Sequence, residues 1–447
     1  MINHEPRTYH LIVYGCQMNA HEAEYMAGLL EADGYLAVTE AAQADVIVVH
    51  TCCIRDSAVR KIYGRIGQLK QVKDSRPDTL LAVGGCMTQA PEGAKRLLKH
   101  APHVDIVFGT HNAHRLSEMV ASAYGTGEKV VEITEEESLP KAQRPLRRAS
   151  DVSAYVEIMA GCDNFCGYCI VPYVRGRQRS RPWDDVLAEI EALQEQGYAE
   201  IILLGQNVNS YGEDLREPVT FARLLAIIDE RAMIPRLRFT TSHPRDFTGQ
   251  LIDVMARGMS ICEQVHLPVQ AGSDRILTAM GRGYTRAHYL DMVERLRLAM
   301  PDMGLSTDIM VGYPGETEED FRQTLDLVRQ ARFTSAYTFM FSPREGTRAA
   351  RMPEQIDMAV KRRRLSELIE LQNAISRECN EEWVGRELQV LIEGPSRKDP
   401  QRMVGRSRQN HTVVLPGPTL RPRDLVMVKI KEAFTWHLVG EEPTPHR

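Results

Sequence analysis

Three thiols stand at CxxxCxxC spacing in Gly161-Cys162-Asp163-Asn164-Phe165-Cys166-Gly167-Tyr168-Cys169. Thiolates are soft ligands that suit zinc or iron–sulfur clusters. A closed structural site takes four protein ligands. Three closely spaced cysteines can instead hold three corners of a 4Fe–4S cube and leave one iron open. An open iron can take the amino and carboxylate groups of S-adenosylmethionine (SAM). One electron passed to the sulfonium then yields a 5′-deoxyadenosyl radical. A zinc knuckle or incidental core thiols are the competing readings; the aromatic Tyr168 directly before the last cysteine favours the cluster.

A second triplet is scattered. Cys16, Cys52 and Cys86 each follow a short strand-like run, at its carboxyl end. In open α/β sheets those ends line the ligand crevice, so thiols distant in sequence can meet there. Three buried core cysteines are the alternative. The side chain of Cys53 should point away from that of Cys52, so Cys53 is read as a non-ligand. His50 beside it is a metal ligand or a hydrogen-bonded core histidine. Cys262 and Cys379 have no motif partner and read as buried structural thiols.

The elements that must position these groups follow from hydrophobic patterning. Between 7 and 125, strands at 10–14, 46–50, 80–83 and 106–108 alternate with helices, two of them at 20–32 and 57–72. That predicts a small doubly wound α/β domain with a parallel sheet. Residues 126–147 read as a linker with an edge strand at 130–133, where Glu135-Glu136-Glu137, Pro140, Pro145 and Arg147-Arg148 break the periodicity. From 148 to 378, strand and helix alternate six times, with strands at 155–159, 200–204, 237–241, 264–267, 305–311 and 336–341. Helices start near Trp183, Thr220, Phe247, Thr285 and Thr317, and a long one follows Pro353. Six βα units predict a (βα)6 partial TIM-like barrel with its active groups at the carboxyl strand ends. The long helix carries Lys361-Arg362-Arg363-Arg364, read as a solvated face. From 381 to 444, short strands and turns, among them Pro416-Gly417-Pro418, predict a small antiparallel OB-like β-barrel.

Composition sets limits. A chain of 447 residues that is 43% hydrophobic holds two to four domains. It has no apolar run of the ~20 residues that a membrane span needs, and its polar start, Met1 to Arg7, has no signal-like apolar stretch. Nine cysteines argue for a reducing, cytoplasmic setting and metal chemistry rather than disulfides. The net charge of −5 does not mark a nucleic-acid binder, but charge is unevenly spread. Between 397 and 431 nine basic residues face only two acids, which is an RNA-binding footprint.

The cysteine loop resembles the radical-SAM signature. With Tyr14-Gly15-Cys16-Gln17-Met18-Asn19, Thr51-Cys52-Cys53-Ile54-Arg55 and Gly85-Cys86-Met87-Thr88-Gln89, the chain resembles the methylthiotransferase family of radical-SAM enzymes from about residue 7 to about 440. The resemblance implies two 4Fe–4S clusters. Cys162, Cys166 and Cys169 would hold the SAM cluster, and Cys16, Cys52 and Cys86 an auxiliary one. It implies two SAM per turnover, one giving a methyl group to sulfur and one cleaved to the radical. It also implies that the loop Gly205-Gln206-Asn207, which lacks the glutamate common in the superfamily, helps hold SAM. Tyr168, Gly272, Ser273 and Gly312 join that loop as candidate SAM contacts. No catalytic group beyond the cluster ligands is implied, because hydrogen abstraction by a radical needs no protein base; His243 and His266 therefore receive no role. His50 stands where the family usually has asparagine.

The stretches 204–212, 240–244, 266–273 and 341–347 look like the branch that modifies isopentenyl-adenosine at position 37 of tRNA, in the anticodon loop. Sister branches act on threonylcarbamoyl-adenosine in tRNA or on an aspartate of ribosomal protein S12. The C-terminal segment resembles the TRAM domain, an RNA-binding barrel. Candidate RNA contacts are Arg175 and Arg177 after the cluster loop, and Arg402, Arg406, Arg408 and Lys429 in the barrel. An electron donor such as flavodoxin or ferredoxin is implied, and a monomer is expected. A non-catalytic, metal-containing RNA-binding protein is the rival from another class.

Overall fold

The computed structural model describes residues 6–53, 56–135, 146–417 and 419–442. Of the positions read above, Ile54, Arg55, Glu136, Glu137, Pro140, Pro145 and Pro418 lie outside the described residues, as do 1–5 of the polar start and 443–444 of the C-terminal segment.

The strand Val46–Thr51 is buried along its whole length, because it runs down the middle of a parallel sheet with helices on both faces. Its side chains alternate. Ile47 and Val49 pack into one core with Ile62, Ile66 and Leu97, while Val46 and Val48 pack into the other with Met26, Leu30 and Leu116. The six strands lie in the order Leu36–Ala37, Thr8–Val13, Val46–Thr51, Leu80–Gly85, Ile106–Phe108, Val130–Glu132, all parallel. Val130–Glu132, expected as an edge strand in a linker, completes this sheet beside Ile106–Phe108.

In the central region six parallel strands follow one another in chain order. Ser153–Glu157, Glu200–Leu204 and Arg236–Phe239 form one arc; Gln264–His266, Gly304–Val311 and Ser335–Met340 form the next, and a bridge from Leu237 to Ile261 joins them. Four outer helices open on a threonine. The hydroxyls of Thr220, Thr248, Thr285 and Thr317 accept from the amides three residues on, each satisfying a donor that the first turn leaves free. Thr317 and Asp320 form a reciprocal capping box. A helix not anticipated from the pattern, Asp274–Met280, follows the fourth strand.

The long helix Met358–Glu381 corrects one reading. Lys361 and Arg364 are buried rather than solvated: Lys361 donates to the Phe341 carbonyl at 3.1 Å, and Arg364 pairs with Glu316 at 2.7 Å. Only the other half of that basic run faces water, because four consecutive helical residues span both faces.

The last strands close a barrel in the order Glu387–Pro395, Arg402–Ser407, Thr412–Pro416, Leu438–Gly440, Leu425–Ala433. All pairings are antiparallel except Thr412–Pro416 with Leu438–Gly440, which is parallel. The barrel seats on the amino ends of the central strands. Arg236, which opens its strand, donates to the carbonyls of Arg406 at 2.6 Å and Gln389 at 2.8 Å. Arg238 donates to those of Ser407 and Arg408 at 2.6 and 2.9 Å. Gly304, first in its strand, lies so close that a side chain would strike the Gln409 carbonyl at 2.0 Å.

Acidification is expected to loosen this barrel. His411 is buried beside Trp383, and burial pushes its pKa from 6.5 down to about 4. The unfolded chain binds a proton that the folded one excludes, so this stability is present above the unfolded value and is lost as pH falls through the folded one. The full shift corresponds to about 3 kcal/mol. Thermal unfolding followed from neutral pH to below pH 5 checks this. His411→Phe should flatten that part of the profile; an unchanged slope would assign it to other groups.

Candidate metal and cofactor site

Cys162, Cys166 and Cys169 lie on an excursion between two short strands, Met159–Ala160 and Arg179–Ser180, which pair antiparallel and pinch it shut. Gly161 has φ +76°, and a side chain there would strike the Arg177 carbonyl at 1.9 Å, so the neck of the loop requires glycine. The Cys162 amide donates to the Gly176 carbonyl at 3.2 Å, and that of Cys169 to Cys166 at 2.9 Å. Burial pushes the Cys162 thiol up, and burial with the neighbouring Cys166 pushes Cys169 up to about 12. Such thiols need a metal's charge to become ligands, which a bound iron would supply.

Arg282 is the residue that sequence reasoning missed here. It is 4% exposed and donates to Pro268 O at 2.8 Å, to Tyr168 Oη at 3.4 Å and to Cys166 Sγ at 3.5 Å. Its placement between Gly281 and Gly283, both at positive φ, was the available signal.

The N-terminal thiols sit at the carboxyl ends of three adjacent strands. Thr51 pairs with Gly85, which sets Cys52 beside Cys86, and a side chain on Gly15 would reach Cys52 Cβ at 2.9 Å. Cys16 is exposed at the N-terminal end of the helix Gln17–Ala32. Cys86 is brought down to about 6, chiefly by a hydrogen bond from Cys53, against burial and with help from Arg175. Cys53 thus acts as a donor to Cys86. His50 is a core residue: its Nε2 meets Glu22 Oε2 at 2.7 Å.

The cysteine loop packs on the N-terminal domain, because its Ile170 and Val174 belong to that domain's core together with Cys53 and Cys86. Among the described residues, no three His, Cys, Asp or Glu side chains stand close enough to hold one metal ion.

Around the rim, several buried polar atoms have no protein partner: Gln206 Oε1, Asn207 Oδ1 and Asn209 Nδ2 after the second strand, Ser242 Oγ and His243 Nε2 after the third. Buried polar groups are seldom left unpaired, so this concentration fits a polar ligand. A cavity of about 250 Å³, lined by Asp163, Asn164, Asn207, Glu213 and Arg245 among others, opens beside them. Burial, with Arg282 and Arg245, holds His243 down to about 2, so it is a neutral imidazole.

Several sequence-predicted contacts have other duties. Gly205 packs on Met159, where a side chain would meet Cγ at 2.5 Å. Gly272, Ser273 and Gly312, expected at SAM, anchor loops to helices. A side chain on Gly272 would strike the Gln323 carbonyl at 2.5 Å, Ser273 Oγ donates to Asp320 at 2.5 Å, and Gly312 lies against Lys361. Tyr168 stays at the thiols through Arg282.

The RNA candidates divide. Arg175 is corrected: it is 6% exposed, with its guanidinium on Glu22 at 2.6 Å and Asn19 at 3.3 Å rather than open to phosphate. Arg408 is corrected too, because it docks the barrel through Glu263 at 2.8 Å and the Ile261 carbonyl at 2.6 Å. Arg406 is half-buried and pairs with Glu393 at 3.0 Å. Arg177, Arg402 and Lys429 remain exposed.

Comparison with known proteins matches residues 156–328 to the Radical SAM superfamily, 8–109 to the Uncharacterized protein family UPF0004 and 381–441 to the TRAM domain. A tRNA-2-methylthio-N(6)-dimethylallyladenosine synthase of Carboxydothermus hydrogenoformans is 49% identical over 97% of this chain and 99% of its own. One of Moorella thermoacetica is 48% identical over 97% and 98%. Among solved structures, the radical S-adenosylmethionine methyltransferase TsrM of Kitasatospora setae shares the fold, with TM-score 0.57, 16% identity and 77% and 74% of the two chains covered. The cobalamin-dependent S-adenosylmethionine radical enzyme OxsB does so with TM-score 0.54, 12% identity and 83% and 58% covered. The two thiol triplets therefore stand in a chain that belongs to the tRNA-2-methylthio-N(6)-dimethylallyladenosine synthase family of the radical SAM superfamily.

Proposed function

We propose that this protein methylthiolates carbon 2 of N6-(dimethylallyl)adenosine at position 37 of tRNA, where an unpaired loop base can be splayed out for reaction. The observation that carries the reading is a cysteine loop packed on the domain that bears the second set of thiols, together with a rim of unpartnered polar atoms, in a chain that matches relatives of that name along nearly their whole length. Cys162, Cys166 and Cys169 would hold the SAM cluster, and Cys16, Cys52 and Cys86 the auxiliary one. When bound, the clusters and two SAM per turnover supply the radical and the methylated sulfur.

The protein's own residues bind and orient. Gln206, Asn207, Asn209 and Ser242 offer polar atoms to SAM, and Arg282 sets Tyr168 and Cys166. Neutral His243 neither takes nor gives a proton in the working range. Phe165, Tyr173 and Arg177 form an exposed group beside the cysteine loop, with Arg177 4.9 Å from the Phe165 ring, and suit stacked bases. Arg402 and Lys429 on the barrel suit phosphates. In domain terms, the N-terminal domain, whose sheet includes Val130–Glu132, serves the auxiliary cluster, the stretch after that strand links, 148–378 is the radical core and 381–444 the RNA handle. Among the described residues no helix is long and apolar enough to cross a membrane. The free thiols and a tRNA substrate suit the cytoplasm, with a flavodoxin- or ferredoxin-like electron donor and a monomeric enzyme.

The test is anaerobic. Reconstituted protein, SAM and a strong reductant are given tRNA bearing isopentenyl-adenosine, with threonylcarbamoyl-tRNA and ribosomal protein S12 in parallel, and the digested products are weighed. A methylthio mass gain on isopentenyl-adenosine alone is expected. Gain on another substrate would keep the chemistry and overturn the substrate; no gain with both clusters loaded would sink the enzyme reading.

A further inference from the structure

One side chain touches the frameworks of both thiol triplets. Arg175 ends the short helix Val171–Arg175, and its neighbour Gly176 accepts from the Cys162 amide, so the cysteine loop itself holds it. Its guanidinium crosses to the N-terminal domain, where it donates to Glu22 Oε1 at 2.6 Å, Glu22 Oε2 at 3.2 Å and Asn19 Oδ1 at 3.3 Å. Asn19 Oδ1 also accepts from Cys16 Sγ at 3.4 Å. Its Nδ2 donates to the carbonyls of Tyr14 at 3.0 Å and Thr51 at 2.9 Å, just ahead of Cys16 and Cys52. Glu22 is tied at 2.7 Å to His50, whose strand ends at Thr51.

We propose that Arg175 is a positioning residue of the auxiliary centre: through Glu22, His50 and Asn19 it locks the N-terminal thiols against the SAM-cluster loop, and its buried positive charge favours the reduced state of the cluster held there. This rests on the two-cluster reading above. A guanidinium cannot shed its proton, so the charge is permanent. Inside a protein such a charge acts strongly over short distances. Reduction adds negative charge to a centre already bearing three thiolates, so a nearby cation raises its potential. Glu22 partly cancels that cation. The two residues should therefore move the potential in opposite directions, whereas a merely structural ion pair would give no such opposition.

The test uses the full-length chain with Cys162→Ala, Cys166→Ala and Cys169→Ala together, so that only the auxiliary cluster can load, and follows reduction by electron paramagnetic resonance. Arg175→Met should lower the midpoint potential, Arg175→Lys should restore most of it, and Glu22→Gln should raise it. Shifts of the same sign from Arg175→Met and Glu22→Gln, or no shift from either, overturn the proposal. If Arg175→Met retains no cluster, the other two variants decide: a raised potential in Glu22→Gln with a near-parental one in Arg175→Lys supports it, and any other pattern overturns it. A triple-alanine background that binds no iron overturns the two-cluster reading, and this proposal with it.

Discussion

Cys162→Ala should abolish reductive cleavage of SAM and remove about half of the iron, from about eight to about four per chain. The loop that carries Cys162 is pinched at Gly161 and tied at Gly176, which holds Cys162 at a fixed place in it. Its two remaining thiols would hold a cluster on two corners, with burial still favouring the protonated Cys169. Cys16→Ala should give the complementary result. Iron again halves, but 5′-deoxyadenosine still forms from SAM, and only methylthio insertion is lost. Iron analysis and product quantitation on both variants check this. Full iron in Cys16→Ala would end the two-cluster claim, and SAM cleavage at the parental rate in Cys162→Ala would end the radical assignment.

Arg238→Ala should destabilise the chain by about 3–5 kcal/mol, because it strands a buried carboxylate. Arg238 and Glu200 are 4% and 3% exposed and meet at 2.6 Å. The same guanidinium carries the carbonyls of Ser407 and Arg408 across the barrel interface. Removing it leaves Glu200 without a cation, with the Ser153 hydroxyl at 3.1 Å, and loosens the barrel. A denaturation midpoint measures the first effect. Faster hydrogen exchange along Arg402–Ser407, with weaker tRNA binding, measures the second. The exposed pair Arg231–Glu191, at 3.2 Å, is the control, since Arg231→Ala should cost under about 1 kcal/mol. Equal losses from the two substitutions would mean that Arg238 is not the anchor.

The sequence by itself determined the placing of three thiols on one loop and of three others after strands, the parallel sheets, and about where the outer helices begin. These are short-range properties. CxxxCxxC places its ligands within one loop, strand and helix periods repeat over a few residues, and the carboxyl end of a parallel strand faces the crevice wherever that strand lies. Only the tertiary structure decided where the long cationic side chains go. Arg175 and Arg408 read as RNA contacts from local charge, yet one reaches Glu22 and the other Glu263. Arg282 carried no chemistry in the sequence and ended at the Cys166 thiol. Lys361 and Arg364, read as solvated, are buried on Phe341 and Glu316. An arginine or lysine has a long flexible stem and either surface or interior as its destination, and its choice is set by a carboxylate or carbonyl brought near by the fold from far along the chain. Gly272 and Gly312 lie on the predicted rim, but the direction in which a side chain there would point, into helices rather than the crevice, depends on packing that no local pattern contains.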